Sequence, residues 1–166
     1  EGFGSRIIES LPLGASVLTG RFFVSDPPSA GEVVALQSEI ERVLAGAAIH
    51  VAGEKAAPVL AGTGGTVTAL AAVLEGLSTD EIVPERINGV RIERERLNEW
   101  IDVWKKLKIE ERMSGSDLDE GRAEVIVAGA MVVRGIMQYY GGDVTACMSD
   151  LLEGLIIESG GNYERK

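Results

Sequence analysis

The sequence predicts an α/β domain in which helices pack against a small sheet. Apolar residues within 33–44 recur at the three- and four-residue spacing of an amphipathic helix. A short apolar run at 58–61 ends in a glycine-rich turn, and a second helical pattern follows that turn directly. Near the end, 144–148 has the length and composition of a strand. Strands and helices in this order are typical of a sheet covered by helices.

The first predicted elements are a strand and a helix. The strand covers 5–11, where isoleucine and leucine mix with polar residues before Pro12. Ser29 and Glu32 have the spacing of a capping box, in which each side chain accepts a hydrogen bond from the backbone amide of the other residue. We therefore expect a helix that begins after Ser29 and ends at Gly46.

The remaining elements follow from similar signals. The strand at 58–61, the glycine turn and a helix through 67–74 form one unit. Further helices are predicted at 94–107, from Asp119 and Glu120 to the Gly141-Gly142 stop, and at 151–157, with the strand at 144–148 before the last. Only three strands are predicted, whereas sheets average about five or six. Either further strands escape prediction or the sheet is completed by chain that is absent here.

Size and charge limit the classes of protein. The chain has 166 residues, close to the usual size of one domain. Twenty-six acidic against sixteen basic residues give a formal charge of -10, which argues against broad binding to nucleic acid or anionic membranes. The longest apolar run, 125–133, is about half of a membrane span, and no secretory signal is visible. Cys147 is the single cysteine, which fits a reducing compartment, and we expect a cytoplasmic protein.

The glycine turn is the one local signal with a chemical mechanism. It consists of Gly62, Thr63, Gly64, Gly65 and Thr66. Glycines between a strand and a helix allow backbone amides to approach an anion, and the helix dipole favours phosphate there. The turn matches neither the Walker pattern, since no lysine follows, nor the dinucleotide pattern, which needs a third glycine. Anion contact and plain tight-turn packing both remain open.

Other reactive residues favour structural interpretations. His50 is the only histidine and has no partner in a recognisable catalytic or metal-binding spacing. Asp117, Asp119 and Glu120 could bind a divalent cation, but acids before a helix are also expected as caps, and we favour capping. Cys147 has no assignable base and is better explained as a small buried residue than as a nucleophile.

The second half contains an aromatic stripe and a basic region. Trp100 and Trp104 lie at helical spacing and favour a place in the core over a platform for stacking bases. Half of the basic residues fall in a short region, where we favour a solvated helix face paired with acids over a rim for an extended polyanion. They are Arg86, Arg91, Arg94, Arg96, Lys105, Lys106, Lys108 and Arg112.

Several segments together resemble one known family. Ser-Leu-Pro-Leu-Gly-Ala at 10–15, Ser-Asp-Pro-Pro at 25–28, the segment 62–71 that contains the glycine turn, and 119–130 occur in the order and spacing of the Ppx/GppA family of exopolyphosphatases and guanosine pentaphosphate phosphohydrolases. Leu-Leu-Glu-Gly-Leu at 151–155 is similar to the closing segment of that family. The resemblance extends over nearly all of the chain.

The resemblance implies a partial domain. Family members carry an N-terminal domain with a first phosphate loop and a catalytic glutamate, and then an Asp-Ile-Gly-Gly-Gly-Ser-Thr-Glu segment, none of which can be placed in this sequence. Residues 1–166 would then be one partial domain, the second domain of an actin-like, ribonuclease H-like fold. Such a half has a mixed sheet with flanking helices and here would lack its opening strands.

The resemblance also implies a function. The intact protein would hydrolyse the terminal phosphoanhydride of polyphosphate or guanosine pentaphosphate with Mg²⁺, whereas these residues alone would lack activity. The implied substrate-binding residues are Gly62, Thr63, Gly64, Gly65 and Thr66, with no catalytic residue or metal ligand in this segment. The implied partners are the missing N-terminal domain and a second copy of the chain, and neither nucleic acid nor a membrane is expected. The alternative is a noncatalytic actin-like module for dimerisation or regulation.

Overall fold

The computed structural model describes residues 8–47 and 59–149, which contain seven α-helices, one 3-10 turn and three strands. The helices are α1 Ala15–Phe22, α2 Ala30–Ala45, α3 Gly65–Glu75, α4 Pro84–Ile87, α5 Arg94–Trp104, α6 Ile109–Ser116 and α7 Glu120–Tyr140. The strands are β1 Leu60–Gly62, β2 Arg91–Ile92 and β3 Val144–Ala146, and the 3-10 turn is Thr79–Glu81. None of the helices among these residues has both the length and the apolarity needed to cross a membrane.

The three strands form a mixed sheet in the order β1-β3-β2. β1 runs parallel to β3, with Gly62 opposite Ala146, and β2 runs antiparallel to β3. The Cys147 amide donates to the Gly62 carbonyl at 2.9 Å and extends the parallel pairing by one residue. Because the carboxyl ends of parallel strands meet at one edge, the glycine turn after β1 lies beside the segment that follows β3.

Helix α7 is the centre of the packing. It is 21 residues long and contacts α1, α2, α3, α5 and α6. Eleven of its residues are buried, and no other helix in the described part of the chain buries as many. This wide apolar surface is expected of a helix covered on several sides. The packing of α7 against these helices therefore determines where the first turn of α7 lies relative to the sheet and to α3.

The predicted core stripe on α5 is confirmed. Trp104 is 1% exposed. The centroids of the Trp104 and Trp100 rings lie 5.1 Å apart, and the ring planes are inclined at 34°. Leu97 and Ile101 on the same face are buried. The Trp104 indole donates to the hydroxyl of Ser116 at 3.0 Å, so its one polar atom is satisfied.

Several helix and strand predictions are also confirmed. Both hydrogen bonds of the Ser29 and Glu32 capping box are present, and Gly46 caps the end of α2. The predicted strand–turn–helix unit is present as β1, the glycine turn and α3. Asp119 caps the start of α7, Gly141 caps its end, and β3 forms the first three residues of the predicted strand at 144–148.

The N-terminal prediction is wrong in the described part. Of the predicted strand at 5–11, residues 8–11 form no strand, and the earlier residues lie outside the described ones. Ile8 is 93% exposed, so it lacks the half-buried environment that favours a strand. Instead, the Leu13 amide donates to the Leu11 carbonyl at 2.8 Å and forms a turn. This turn precedes α1, a helix that the sequence did not predict.

Three further short elements, α4, β2 and α6, were also not predicted. They have four, two and eight residues, too few for a reliable hydrophobic period. The predicted helix at 151–157 and His50 lie outside the described residues.

The basic region is mostly solvated, as expected, with one exception. Ion pairs join Arg86 to Glu81, Arg91 to Asp143, Arg94 to Glu95 and Lys105 to Asp102, at 3.3, 2.7, 3.6 and 2.6 Å. Arg112 contradicts the interpretation because it is only 2% exposed. Its guanidinium donates to the carbonyls of Trp104 and Ala123 and to the carboxylate of Asp26. Arg112 therefore links α5, α7 and the segment after α1.

The N-terminal cap of α2 predicts a pH dependence of stability. The Glu32 carboxylate accepts hydrogen bonds from the amides of Ser29, Val24 and Ser25 at 2.6, 2.7 and 3.1 Å. These bonds, with that from Ser29 the largest cause, lower the pKa of Glu32 from 4.5 to about 2. Because the folded-state pKa lies below the unfolded one, the stabilisation is present above pH 4.5 and is lost as the pH falls to about 2.

We expect the unfolding midpoint of the wild type to fall more steeply over this pH window than that of Glu32→Gln. Thermal unfolding at several pH values measures both slopes. Equal slopes would contradict the assignment of the pKa shift to this cap.

Candidate functional site

The glycine turn connects β1 to α3 at one edge of the sheet. Gly64 precedes the helix with φ 90° and ψ 171°, a conformation in which other residues are strained. The Thr63 hydroxyl donates to the carbonyl of Ser149 at 3.0 Å and ties the turn to the segment after β3. Gly62 packs closely in the sheet, since a Cβ there would lie 2.9 Å from both Val144 and Val67.

The amides at the start of α3 are available as donors. The Gly64 carbonyl accepts the first helical bond, from the Thr68 amide at 3.0 Å, and no side chain caps the helix. In residues 8–47 and 59–149, no acceptor contacts the amides of Gly64, Gly65 or Thr66. Gly64 is exposed, and its two successors are half-buried. Unpaired amides at a helix start, together with the helix dipole, favour an anion.

The Thr66 side chain points into the protein. A Cβ added to Gly129 of α7 would lie 2.6 Å from Cγ2 and 2.9 Å from Oγ1 of Thr66. Gly129 therefore lets α7 approach the first turn of α3 closely. Of the five predicted site residues, Gly62 and Thr63 hold the turn in place, whereas Gly64, Gly65 and Thr66 carry the unpaired amides.

Arg122 brings a positive charge to this turn. It lies in the first turn of α7, and its guanidinium rests on Gly65, where an added Cβ would overlap it. Arg122 is exposed, and its guanidinium has no hydrogen-bond or ion-pair partner among the residues that the structure describes. In the sequence, Arg122 is part of the helix motif at 119–130 and carries no signal of its own for a binding role. Its place in the site depends on how α7 packs against α3, which no local pattern reveals.

The acids near the site act as caps. The Asp119 carboxylate accepts a hydrogen bond from the Arg122 amide at 2.9 Å, and that of Asp117 accepts one from the Thr79 amide at 2.8 Å. This confirms the predicted capping role for Asp119. Within the described ranges, no three His, Cys, Asp or Glu residues come together in a way that could hold a metal ion.

Cys147 follows β3 and lies next to the turn. It is half-buried rather than fully buried, and its Sγ lies 3.9 Å from the Ser149 carbonyl oxygen. No base in the described residues contacts it. Its amide, not its thiol, connects it to the turn through Gly62.

A cavity of about 280 Å³ adjoins the turn. Its lining includes Gly65 and Arg122 together with residues of α3, of the 3-10 turn and of the link between α6 and α7. The unpaired amides, the guanidinium and this cavity therefore occupy one side of the domain. The unpaired amides and the guanidinium can bind a negatively charged group, whereas Asp117 and Asp119, the acids in the cavity lining, accept hydrogen bonds from backbone amides.

Comparisons with known proteins agree with this fold. A family model described as the Ppx/GppA phosphatase family matches residues 1–161. A search of curated proteins returned no match. Among solved structures, a family member from Aquifex aeolicus matches with a TM-score of 0.85 and 26% identity over 97% of this chain and 51% of its own.

Two other solved structures cover a similar part. The Aquifex aeolicus PPX-GPPA enzyme matches with a TM-score of 0.82 and 27% identity over 92% of this chain and 49% of its own. An exopolyphosphatase from Cytophaga hutchinsonii matches with a TM-score of 0.73 and 20% identity over 93% of this chain and 49% of its own. The chain thus spans about half of these proteins, and its mixed sheet with flanking helices is that of a partial actin-like, ribonuclease H-like domain. Taken together, these matches show that the chain belongs to the Ppx/GppA phosphatase family.

Proposed function

We propose that this chain is part of a phosphatase that hydrolyses the terminal phosphoanhydride of polyphosphate or guanosine pentaphosphate. Its share is to hold a phosphate group of the substrate on the glycine turn. The observation that carries the proposal is the Arg122 guanidinium on Gly65, beside three amides that have no acceptor in residues 8–47 and 59–149. The first amides of any helix lack partners within that helix, so the guanidinium on Gly65 is what distinguishes this turn from a purely structural one.

The two kinds of donor complement each other. Amides at a helix start hold a phosphate at fixed positions, and a guanidinium can bind two phosphate oxygens at once. Phosphoryl transfer depends on positioning and on neutralising charge more than on covalent chemistry. A turn without a nucleophile can therefore contribute to the reaction by orienting the substrate.

The residues that act on water are proposed to come from elsewhere in the intact protein. Mg²⁺ would supply charge neutralisation, but the described residues do not fit a site for it. Asp117 and Asp119 each use one carboxylate oxygen to cap backbone amides, and no third ligand joins them within the described ranges. We expect the metal ligands outside these residues.

Substitution of Gly65 by alanine tests the proposal. Gly65 begins α3 with an ordinary φ, so the only obstacle to a Cβ is the flexible end of Arg122, which can move away. We expect a folded variant whose kcat/KM for phosphoanhydride substrates falls about 10- to 100-fold, because one or two charged hydrogen bonds are lost. Initial rates and a thermal unfolding curve of the intact protein give both quantities.

Gly31→Ala is the matched control, since nothing lies within 4 Å of a Cβ at that position of α2. This variant should keep the kinetics of the wild type, although alanine inside a helix stabilises it slightly. If Gly65→Ala folds and keeps its kinetics, the glycine turn does not contact phosphate.

The noncatalytic alternative rests on the edge of the sheet. In the described part, β1 pairs only with β3, and a free strand edge can pair with another copy of the chain. This alternative would be favoured if the intact protein lacks a catalytic glutamate and binds no phosphoanhydride. The function of the chain would then be homodimerisation.

A further inference from the structure

The segment 147–149 continues the path of β3 beyond the end of the sheet. β2 pairs antiparallel with β3, with Arg91 opposite Thr145. In the same register, position 88 would lie opposite position 148. A turn at Gly89, with φ 90°, separates β2 from α4, so the backbone of β2 does not extend that far. A regular sheet would therefore leave the amide of residue 148 without a backbone carbonyl on this side.

The side chain of Asn88 takes the place of that carbonyl. Its Oδ1 accepts a hydrogen bond from the Met148 amide at 2.7 Å. The neighbouring bonds are backbone ones: the Ala146 amide donates to the Val90 carbonyl at 2.8 Å, and the Gly89 amide donates to the Ala146 carbonyl at 3.0 Å. Asn88 thus extends the β2 side of the ladder by one hydrogen bond.

The glycine turn binds the other side of the same segment. The Cys147 amide donates to the Gly62 carbonyl at 2.9 Å, and the Ser149 carbonyl accepts from the Thr63 hydroxyl at 3.0 Å. Bonds to the two sides alternate along the segment, as they do along a central strand. Asn88 and the turn therefore hold the segment from opposite sides.

The segment is the connection between Asn88 and the turn. The Met148 side chain is half-buried and packs against the hydrophobic core, so its backbone has a defined position. Asn88 is exposed, and within the described residues no hydrogen bond joins it directly to the glycine turn. A chain of hydrogen bonds through residues 147–149 links the two.

We propose that Asn88 is a positioning residue for phosphate binding, which acts by holding segment 147–149 against the glycine turn. The proposal rests on the proposed function and adds a residue to it. Several backbone amides bind one anion tightly only if they keep fixed directions before the anion arrives. While Asn88 holds Met148, the Ser149 carbonyl stays in place for the Thr63 hydroxyl, and the turn keeps one orientation.

The variant Asn88→Ala in the intact protein removes the acceptor of the Met148 amide. We expect the Kd for inorganic pyrophosphate to rise about 3- to 10-fold, the equivalent of one lost hydrogen bond. In the ligand-free protein, the amide resonances of Gly64, Gly65 and Thr66 should shift, although Asn88 bonds to none of them. Both measurements are made at a temperature where thermal unfolding curves show the wild type and the variant to be folded.

Gln37→Ala is the matched control. It also removes an amide side chain, but one that is bonded to Glu41 and Arg134. We expect this variant to keep the pyrophosphate Kd and the turn resonances of the wild type.

A double-mutant cycle with Thr63→Val tests the route through the segment. Valine has nearly the shape of threonine but cannot donate to the Ser149 carbonyl. In the Thr63→Val background, Asn88→Ala should weaken pyrophosphate binding less than about 2-fold, because the segment no longer holds the turn. Thr63→Ser keeps the hydroxyl and should restore the full effect of Asn88→Ala. A purely structural role would lower the unfolding midpoint without this dependence on residue 63.

Failure of this proposal is distinguishable from failure of the proposed function. If the wild type does not bind pyrophosphate, the proposed function fails, and the ligand-free resonances of the turn still show whether Asn88 holds it. If the wild type binds pyrophosphate and Asn88→Ala binds it as tightly as Gln37→Ala does, Asn88 is not a positioning residue. Equal losses from Asn88→Ala with threonine and with valine at position 63 would overturn the route through the segment.

Discussion

Replacing Arg122 with alanine is expected to lower the kcat/KM of the intact protein for phosphoanhydride substrates by about 100- to 1,000-fold, the usual cost of losing one well-placed donor to a developing anion. The guanidinium rests on Gly65 beside the unpaired amides and has no other partner in the described residues. Because its side chain is exposed, removing it should leave the unfolding midpoint nearly unchanged. Initial rates and thermal unfolding measure the two effects separately.

Two further variants show how Arg122 acts. Arg122→Lys keeps the charge but loses the planar fork, so we expect it to recover only part of the activity. Arg86→Ala is the matched control, since Arg86 is an exposed arginine whose partner is Glu81. An Arg122→Ala enzyme with the kinetics of Arg86→Ala would show that Arg122 does not bind substrate.

The second large effect concerns stability. Arg112→Met is expected to lower the free energy of unfolding by about 3–5 kcal/mol, because two buried carbonyls each lose their hydrogen-bond donor. The carbonyls of Trp104 and Ala123 accept from Arg112 at 3.0 and 2.9 Å and would lose these donors. Burial lowers the pKa of Arg112, and the charge of Asp26 opposes this. The arginine is therefore held by hydrogen bonds in a place that disfavours its charge.

The variant Asp26→Asn tests whether the ion pair or the carbonyl hydrogen bonds of Arg112 contribute more to stability. The Asp26 side chain is 40% exposed and lies 3.3 Å from the guanidinium, so the ion pair is partly screened by solvent. We expect this variant to lose less than about 1 kcal/mol in chemical denaturation. If Asp26→Asn is as destabilising as Arg112→Met, the ion pair rather than the carbonyl bonds holds Arg112.

The predictions that succeeded depend on signals within a few residues. The capping box of Ser29 and Glu32 locates the start of α2, and the glycine turn locates that of α3, because both act through local backbone groups. Helix α1 gave no such signal: it has no side-chain cap and buries only Leu18 and Thr19. Its stability comes from packing against α7, which is distant in the sequence.

The same difference between local signals and contacts with distant elements explains why the environments of Arg112 and Arg122 were not predicted. The charged residues near Arg112 in the sequence predicted a solvated side chain. In the structure Arg112 is buried, and its guanidinium donates to the backbone carbonyls of Trp104 and Ala123. Arg122 enters the site only because α7 crosses α3 at Gly129 and Gly65. Both positions follow from the packing of α7 against its neighbours, which the sequence pattern alone does not reveal.

The most direct test of the central claim is an amide NMR titration of the intact, isotope-labelled protein with inorganic pyrophosphate. Bound phosphate should shift the amide resonances of Gly64, Gly65 and Thr66 strongly and saturably, and Arg122→Ala should weaken this binding. Saturable binding that leaves these three amides unchanged would contradict the claim that the glycine turn holds the phosphate.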